Sequence, residues 1–94
     1  MSNNRSARVM MEEEYMTLVI TYKNKEDRSF ICDTIGDIEE KYNVHPEVIH
    51  QRLVDGGGSF SVEFSKDIYT NSRIPGEFIE DTLKALDINE CDRL

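Results

Sequence analysis

Two stretches of the chain alternate between apolar and polar residues, which is the pattern of a half-buried β-strand. The first, residues 15–22, reads YMTLVITY and is rich in β-branched and aromatic residues. The second, residues 59–65, reads SFSVEFS and places three apolar side chains on one face: Phe60, Val62 and Phe64. We predict strands at both places. A partner strand over residues 28–32 is expected to form a hairpin with the first strand through the polar turn 23–27.

Apolar residues spaced three or four positions apart predict helices elsewhere in the chain. One short helix is expected over residues 35–42, capped by Asp33 or Thr34. A second helix is expected over residues 46–54, ended by the glycines that follow it. A last helix is expected over residues 75–87. The apolar positions on which these helices depend are Ile35, Ile38, Tyr42, Val48, Ile49, Leu53, Phe78, Ile79, Leu83 and Leu86.

The predicted element order is therefore ββααβα, in a single domain over residues 15–88. This order predicts an α+β fold, in which a small antiparallel sheet carries helices packed on one side. Residues 1–14 are polar and without periodicity, so we expect a flexible N-terminal arm, and residues 89–94 are expected to fray. A chain of 94 residues is long enough to bury a modest core, and it leaves little room for an elaborate active site.

Residues 34–54 read TIGDIEEKYNVHPEVIHQRLV, and Asn43 is expected to turn the chain because Asn tolerates the left-handed conformation. The stretch resembles the helix-turn-helix of small phage and bacterial DNA-binding regulators and of resolvase-like proteins. Their common sequence is close to T-I-x-E-I-A-x-K-Y-G-V-S-P-x-T-V-x-x-R-L. The chain departs from it at Glu39, Asn43 and His45, where the family prefers Ala, Gly and a Ser or Thr cap. The resemblance implies that helix 46–54 is a recognition helix in the major groove.

The outward side chains of such a helix would be the candidates for contact with base edges. Gln51 could pair with adenine, Glu47 could accept from cytosine, and His50 could donate to guanine. Lys41 and Arg52 would neutralise phosphates. These five residues are the predicted nucleic-acid-binding site.

The net charge of the chain favours a different interpretation of its function. The formal net charge is −8, whereas DNA affinity depends largely on Lys and Arg. Half of this charge lies in residues 74–94, away from the motif, but residues 34–58 are themselves acidic. The alternative function is therefore an acidic protein-interaction module, or a phage inhibitor that binds a basic host nucleic-acid enzyme. In its extreme form, such an inhibitor would mimic DNA.

No motif in the sequence points to catalysis, so we expect that the protein is not an enzyme and has no cofactor or small-molecule ligand. Cys32 and Cys91 do not form a Cys-x-x-Cys pair, and His45 and His50 are five residues apart, so no metal site is expected. Cys32 lies in an apolar run and is expected in the core, while Cys91 is expected to be exposed. Both are expected to be free thiols.

The expected partner is double-stranded DNA or a basic host protein. A small recognition unit makes few phosphate contacts, so we expect a homodimer on a two-fold site, associated through the apolar face of the last helix. A regulator of this kind is typical of phages and mobile elements. The longest apolar run is too short to span a bilayer and no signal-peptide core is visible, so a cytoplasmic protein without membrane contact is expected.

Overall fold

The computed structural model describes residues 5–88 and 91–93. The described elements, in chain order, are β1 (Arg5–Met11), β2 (Tyr15–Tyr22), α1 (Lys25–Tyr42), β3 (Glu47–Arg52), β4 (Gly58–Ser65), α2 (Lys66–Asn71), α3 (Ile74–Ala85) and β5 (Cys91–Arg93).

The strands form one sheet in the order β3-β4-β2-β1-β5. The first four strands of this order pair antiparallel, and the short β5 pairs parallel with β1. Because β2 and β3 both run antiparallel to β4, they run parallel to each other, and α1 connects them across the sheet. This is a split β-α-β arrangement, with β4 between the two connected strands. The arrangement leaves β3 at one edge of the sheet.

The hydrophobic core lies between one face of the sheet and the helices α1 and α3. The alternation along β4 sends Phe60, Val62 and Phe64 to this face, and Ser59, Ser61 and Glu63 to the other. The buried apolar residues are Ala7, Val9, Met16, Leu18, Ile20, Tyr22, Ile31, Ile35, Ile38, Phe60, Val62, Phe64, Phe78, Ile79, Leu83 and Leu86. The predicted α+β fold, a small antiparallel sheet with helices on one side, is confirmed.

Three predicted elements are found close to their expected bounds. The strand predicted over residues 15–22 is β2, and the strand predicted over residues 59–65 is β4, which begins one residue earlier. The helix predicted over residues 75–87 is α3, Ile74–Ala85. In each of these elements one face is buried, so the alternation or the helical period is visible in the sequence.

The strand predicted over residues 28–32 is wrong, because these residues belong to the first half of α1. Asn24 caps the N-terminus of the helix, because its side-chain Oδ1 accepts a hydrogen bond from the backbone N–H of Asp27 at 2.9 Å. Phe30 and Cys32 lie on its exposed side, so the prediction of a buried Cys32 is also wrong. The residues that α1 does bury follow a helical period: Asp27, Ile31, Thr34, Ile35 and Ile38.

The helix predicted over residues 46–54 is also wrong, because Glu47–Arg52 is the strand β3. The turn at Asn43 is confirmed, with φ 54° and ψ 48° in the left-handed region, but an extended chain follows it. Pro46 and the β-branched Val48 and Ile49 suit an edge strand. The glycines after Asp55 do not end a helix; they form the turn from β3 to β4, where Gly56 has φ 97°.

The ends of the chain are more ordered than expected. Residues 5–11 of the predicted flexible arm form β1, and residues 91–93 of the predicted frayed end form β5. The polar connector after β4 contains the short helix α2. Residues 1–4, 89–90 and 94 lie outside the described residues, as does the side chain of Cys91, whose predicted exposure stays a prediction.

Candidate interaction edge at strand β3

Strand β3 presents an open backbone edge. The N–H of Leu53 donates to the carbonyl of Gly57 at 2.8 Å, and the N–H of Gly56 donates back to the carbonyl of Leu53 at 3.3 Å. In an antiparallel ladder, every second residue of a strand points its backbone N–H and C=O groups toward the same neighbour. Counting back from Leu53, the backbone groups of Gln51 and Ile49 therefore point toward β4. The backbone groups of the alternate residues, Val48, His50 and Arg52, point away from the sheet. In the part of the chain that the structure describes, no strand pairs with this side of β3.

The side chains along this edge are exposed even where they are apolar. All six residues of β3 are exposed, and Val48 and Ile49 keep 38% and 47% of their surface. The turn that follows adds Leu53 and Val54, which are 62% and 107% exposed. Exposed apolar side chains along an unpaired strand edge are typical of a binding site or of a segment prone to aggregation.

An apolar groove runs between α1 and β3, directly beside the open edge. It encloses about 340 Å³. Its lining residues are Cys32, Ile35, Gly36, Glu39, Pro46, Val48 and Phe60. Gly36 contributes to its width, because a Cβ placed there would meet no atom within 4 Å. A side chain from a strand added to β3 would therefore find apolar surface on the helix side of the sheet.

A small aromatic cluster attaches β3 to the rest of the sheet. The His50 ring stacks on Phe60, with centroids 4.1 Å apart and planes within 3°. Its Nε2 shares a hydrogen bond with the Tyr22 hydroxyl at 2.5 Å. Partial burial of the ring lowers the pKa of His50, and the charges of Arg52 and Arg28 lower it further. The lowered pKa favours the neutral form of the ring near pH 7.

Charge is distributed unevenly around the groove. The second half of α1 carries four carboxylates and no base between Asp33 and Glu40, and Glu39 reaches the groove lining. The opposite end, near His50, carries Arg28 and Arg52. The edge therefore has an acidic end and a basic end.

The structure separates the five residues predicted to bind nucleic acid. Glu47 and Gln51 lie on the open face of the sheet, whereas His50 and Arg52 share the face of Phe60 and the helices. Lys41 lies at the end of α1, and its Nζ is 2.7 Å from a carboxylate oxygen of Asp81 in α3. The Tyr42 hydroxyl donates to the same oxygen at 2.5 Å. No single face presents all five residues.

The dimer surface expected on the last helix is wrong, because α3 uses its apolar face inside the molecule. Phe78, Ile79 and Leu83 on this face are all buried in the core, as is Leu86 just beyond the helix. These apolar residues are therefore not free to pack against a second copy.

Sequence reasoning missed the groove, the Tyr22–His50–Phe60 cluster and the open edge. The available signal was the pair of β-branched residues between Pro46 and the glycines at residues 56–58, which fits a strand before a hairpin turn as well as it fits a helix. The groove has no local signal, because it is formed by residues from three elements.

A larger depression of about 500 Å³ lies at the start of α3. Arg73 lines it together with Glu77 and Glu80, so its charges oppose one another and no polar groups of one kind converge there. Among the described residues, no group of three metal-ligating side chains comes together, and no helix is long and apolar enough to cross a membrane.

Comparison with protein-family models, with curated proteins and with solved structures found no match to this chain.

Proposed function

We propose that this protein is an interaction module that binds an extended segment of a partner protein by adding it as a strand to β3. The observation that carries the proposal is the exposed outer edge of β3, with which no other strand among the described residues pairs, beside an apolar groove. In strand addition, main-chain hydrogen bonds supply affinity and pockets for alternate side chains supply specificity. Both parts are present here, the first in the outward groups of β3 and the second in the groove.

The partner segment is expected to be apolar and basic. Apolar side chains on one face of the added strand would enter the groove beside Val48 and Gly36. Basic side chains on the other face of the added strand would lie near Glu47, which is paired with Glu63 of β4 on the open face of the sheet. The net charge of −8 would also steer a basic protein toward this surface and repel a polyanion.

DNA reading through a recognition helix receives less support, because the helix on which it depends is the strand β3. Two positively charged residues belong to the predicted site. Lys41 is paired with Asp81, and Arg52 is the one that lies on β3. Binding of double-stranded DNA is accordingly treated as an alternative outcome of the test.

The test titrates the isotope-labelled protein with a short acetylated peptide that alternates Lys and Val, followed by NMR. We expect amide shifts at Val48, His50 and Arg52 and at Gly36 across the groove. The matched control is the same peptide N-methylated at alternate residues, which cannot complete the ladder of hydrogen bonds and should not bind.

Two proline variants locate the contact on the protein. Val48→Pro removes an outward N–H and leaves the ladder with β4 in place, so it should fold and lose peptide binding. Ile49→Pro removes an N–H that faces β4 and should disrupt the hairpin itself. Peptide binding that survives Val48→Pro would contradict the proposal. So would retention on a DNA duplex that falls steeply with salt and is lost in a Gln51→Ala, Arg52→Ala double variant.

A further inference from the structure

The β3 edge carries opposite charges at its two ends, on the helix side of the sheet. Arg52 ends the strand on that side, and Glu39 of α1 lines the groove beside Pro46, just before the start of the strand. Antiparallel pairing of two such edges brings Arg52 of each copy toward Glu39 of the other. We propose that, in the absence of a partner, β3 pairs with β3 of a second copy about a two-fold axis, so that one sheet continues through both molecules.

The outward backbone groups restrict the register of this pairing. In an antiparallel pair, residues whose backbone N–H and C=O groups point toward the partner strand must lie opposite each other. In β3 these are alternate residues, so the two-fold axis of the dimer passes through a residue and not between two residues. An axis at Ile49 pairs Ile49 with its own copy, Glu47 with Gln51, and Val48 with His50. An axis at His50 sets two imidazole rings together and leaves Glu47 opposite Leu53. The first register opposes the apolar Ile49 to its own copy and the polar Glu47 to Gln51, and we assign it.

The same register accounts for Pro46. Continuing the alternation, Pro46 would face Arg52 of the second copy, where the paired segment ends, so its missing N–H costs little. Glu39 and Pro46 line the same end of the groove. The guanidinium of Arg52 from the second copy would therefore approach Glu39, which is an interaction of opposite charges at the rim of the interface.

The axis is perpendicular to the sheet, so both copies keep their helices on the same side. The two α1 helices then flank the junction, and the apolar surface at Cys32 and Val48 is covered from the other molecule. This self-pairing covers the backbone groups that the proposed function offers to a partner. It does not depend on that function, because it follows from the free backbone groups and the opposite charges at the two ends of the edge, and a partner would have to displace the second copy.

Cysteine cross-linking tests the register directly. In a Cys32→Ser, Cys91→Ser background, Ile49→Cys should give a disulfide-linked dimer under mild oxidation, because directly opposed residues of a non-hydrogen-bonded pair lie closest. His50→Cys reports the competing register. Ser61→Cys is the matched control, since Ser61 lies beside Ile49 on the same face but one strand further from the edge.

Light scattering after size exclusion, at physiological salt and over a range of concentrations, measures association without cross-linking. We expect the parent protein to shift from monomer to dimer with concentration, and Val48→Pro to stay a monomer with an unchanged circular dichroism spectrum. A parent protein that stays monomeric would overturn the inference while leaving the proposed function intact. A dimer that survives Val48→Pro, or cross-linking at His50 in preference to Ile49, would overturn it as well.

Discussion

Arg5 connects three parts of the molecule through one side chain. Its Nη1 lies 2.6 Å from Oδ1 of Asp27 at the start of α1, and its Nε donates to the carbonyl of Leu86 at 3.0 Å. The guanidinium also lies 5.2 Å from the centroid of the Phe30 ring. Both members of the ion pair are largely buried, with side-chain exposures of 14% and 11%. A residue expected in a flexible arm therefore holds β1 against the helical layer.

Replacing Arg5 with Ala should destabilise the fold strongly, because it leaves the carboxylate of Asp27 buried without its partner. We expect a loss of about 3 kcal/mol in the free energy of unfolding, measured by urea denaturation. Arg8→Ala is the matched control on the same strand, since Arg8 is exposed, and it should change stability by less than about 0.5 kcal/mol. Equal effects of the two substitutions would contradict the assigned role of Arg5.

Gly58 is required by close approach of the chain on two sides. A Cβ placed there would clash with the carbonyl oxygen of Gln51 and would lie 2.6 Å from the Tyr22 hydroxyl oxygen. Gly58→Ala should therefore cost about 2 kcal/mol and displace the β3 hairpin. Gly76→Ala in α3 meets no atom within 4 Å and should instead gain about 0.5 kcal/mol, as thermal melts of both variants can show. A neutral Gly58→Ala would indicate that β3 does not pack against Tyr22.

At the scale of elements, the contrast between β3 and β4 explains where sequence reasoning succeeded. β4 buries every second side chain, so its alternation is visible in the sequence and its strand was predicted. β3 buries none of its side chains and is held mainly by backbone bonds to β4, which leave no trace in the residue pattern. The spacing of Val48, Ile49 and Leu53 imitated a helical period by coincidence.

α1 was misassigned for a related reason. Its first half exposes Phe30 and Cys32, two residues that favoured a strand when they were counted as buried. The buried face of α1 follows a helical period that includes Asp27, Ile31, Ile35 and Ile38. Asp27 is charged, and its ion pair with Arg5 compensates for its burial. The groove could not be predicted, because it forms only when α1 and β3 are placed side by side.

The attachment of β3 through His50 should make stability depend on pH. The pKa of His50 is lowered in the folded protein, so the unfolded chain binds a proton more readily. This contribution to stability is present above the ordinary imidazole pKa of about 6.5 and is lost as the pH falls from that value through the lowered pKa of the folded protein. Melting temperatures measured between about pH 7.5 and pH 5 should fall more for the parent than for His50→Gln. Parallel curves would argue against the stacking of the His50 ring on Phe60.

At the scale of the whole molecule, the fold uses its apolar surfaces unequally. α3 and one face of the sheet complete the core, while β3 and the turn after it keep exposed apolar side chains at a free edge. Natural proteins protect such edges with charge, with proline or with a partner strand. Here Pro46 and Arg52 protect only the two ends of β3, so the middle of the strand is left available for pairing.

The most direct test of this account is amide hydrogen exchange along residues 46–54, measured by NMR at low protein concentration together with the backbone chemical shifts. The account predicts strand-like shifts and an alternation in which Ile49 and Gln51 are protected by β4 while Val48, His50 and Arg52 exchange rapidly. Helical shifts with continuous protection of consecutive amides would contradict it, because β3 would then have no free edge to offer.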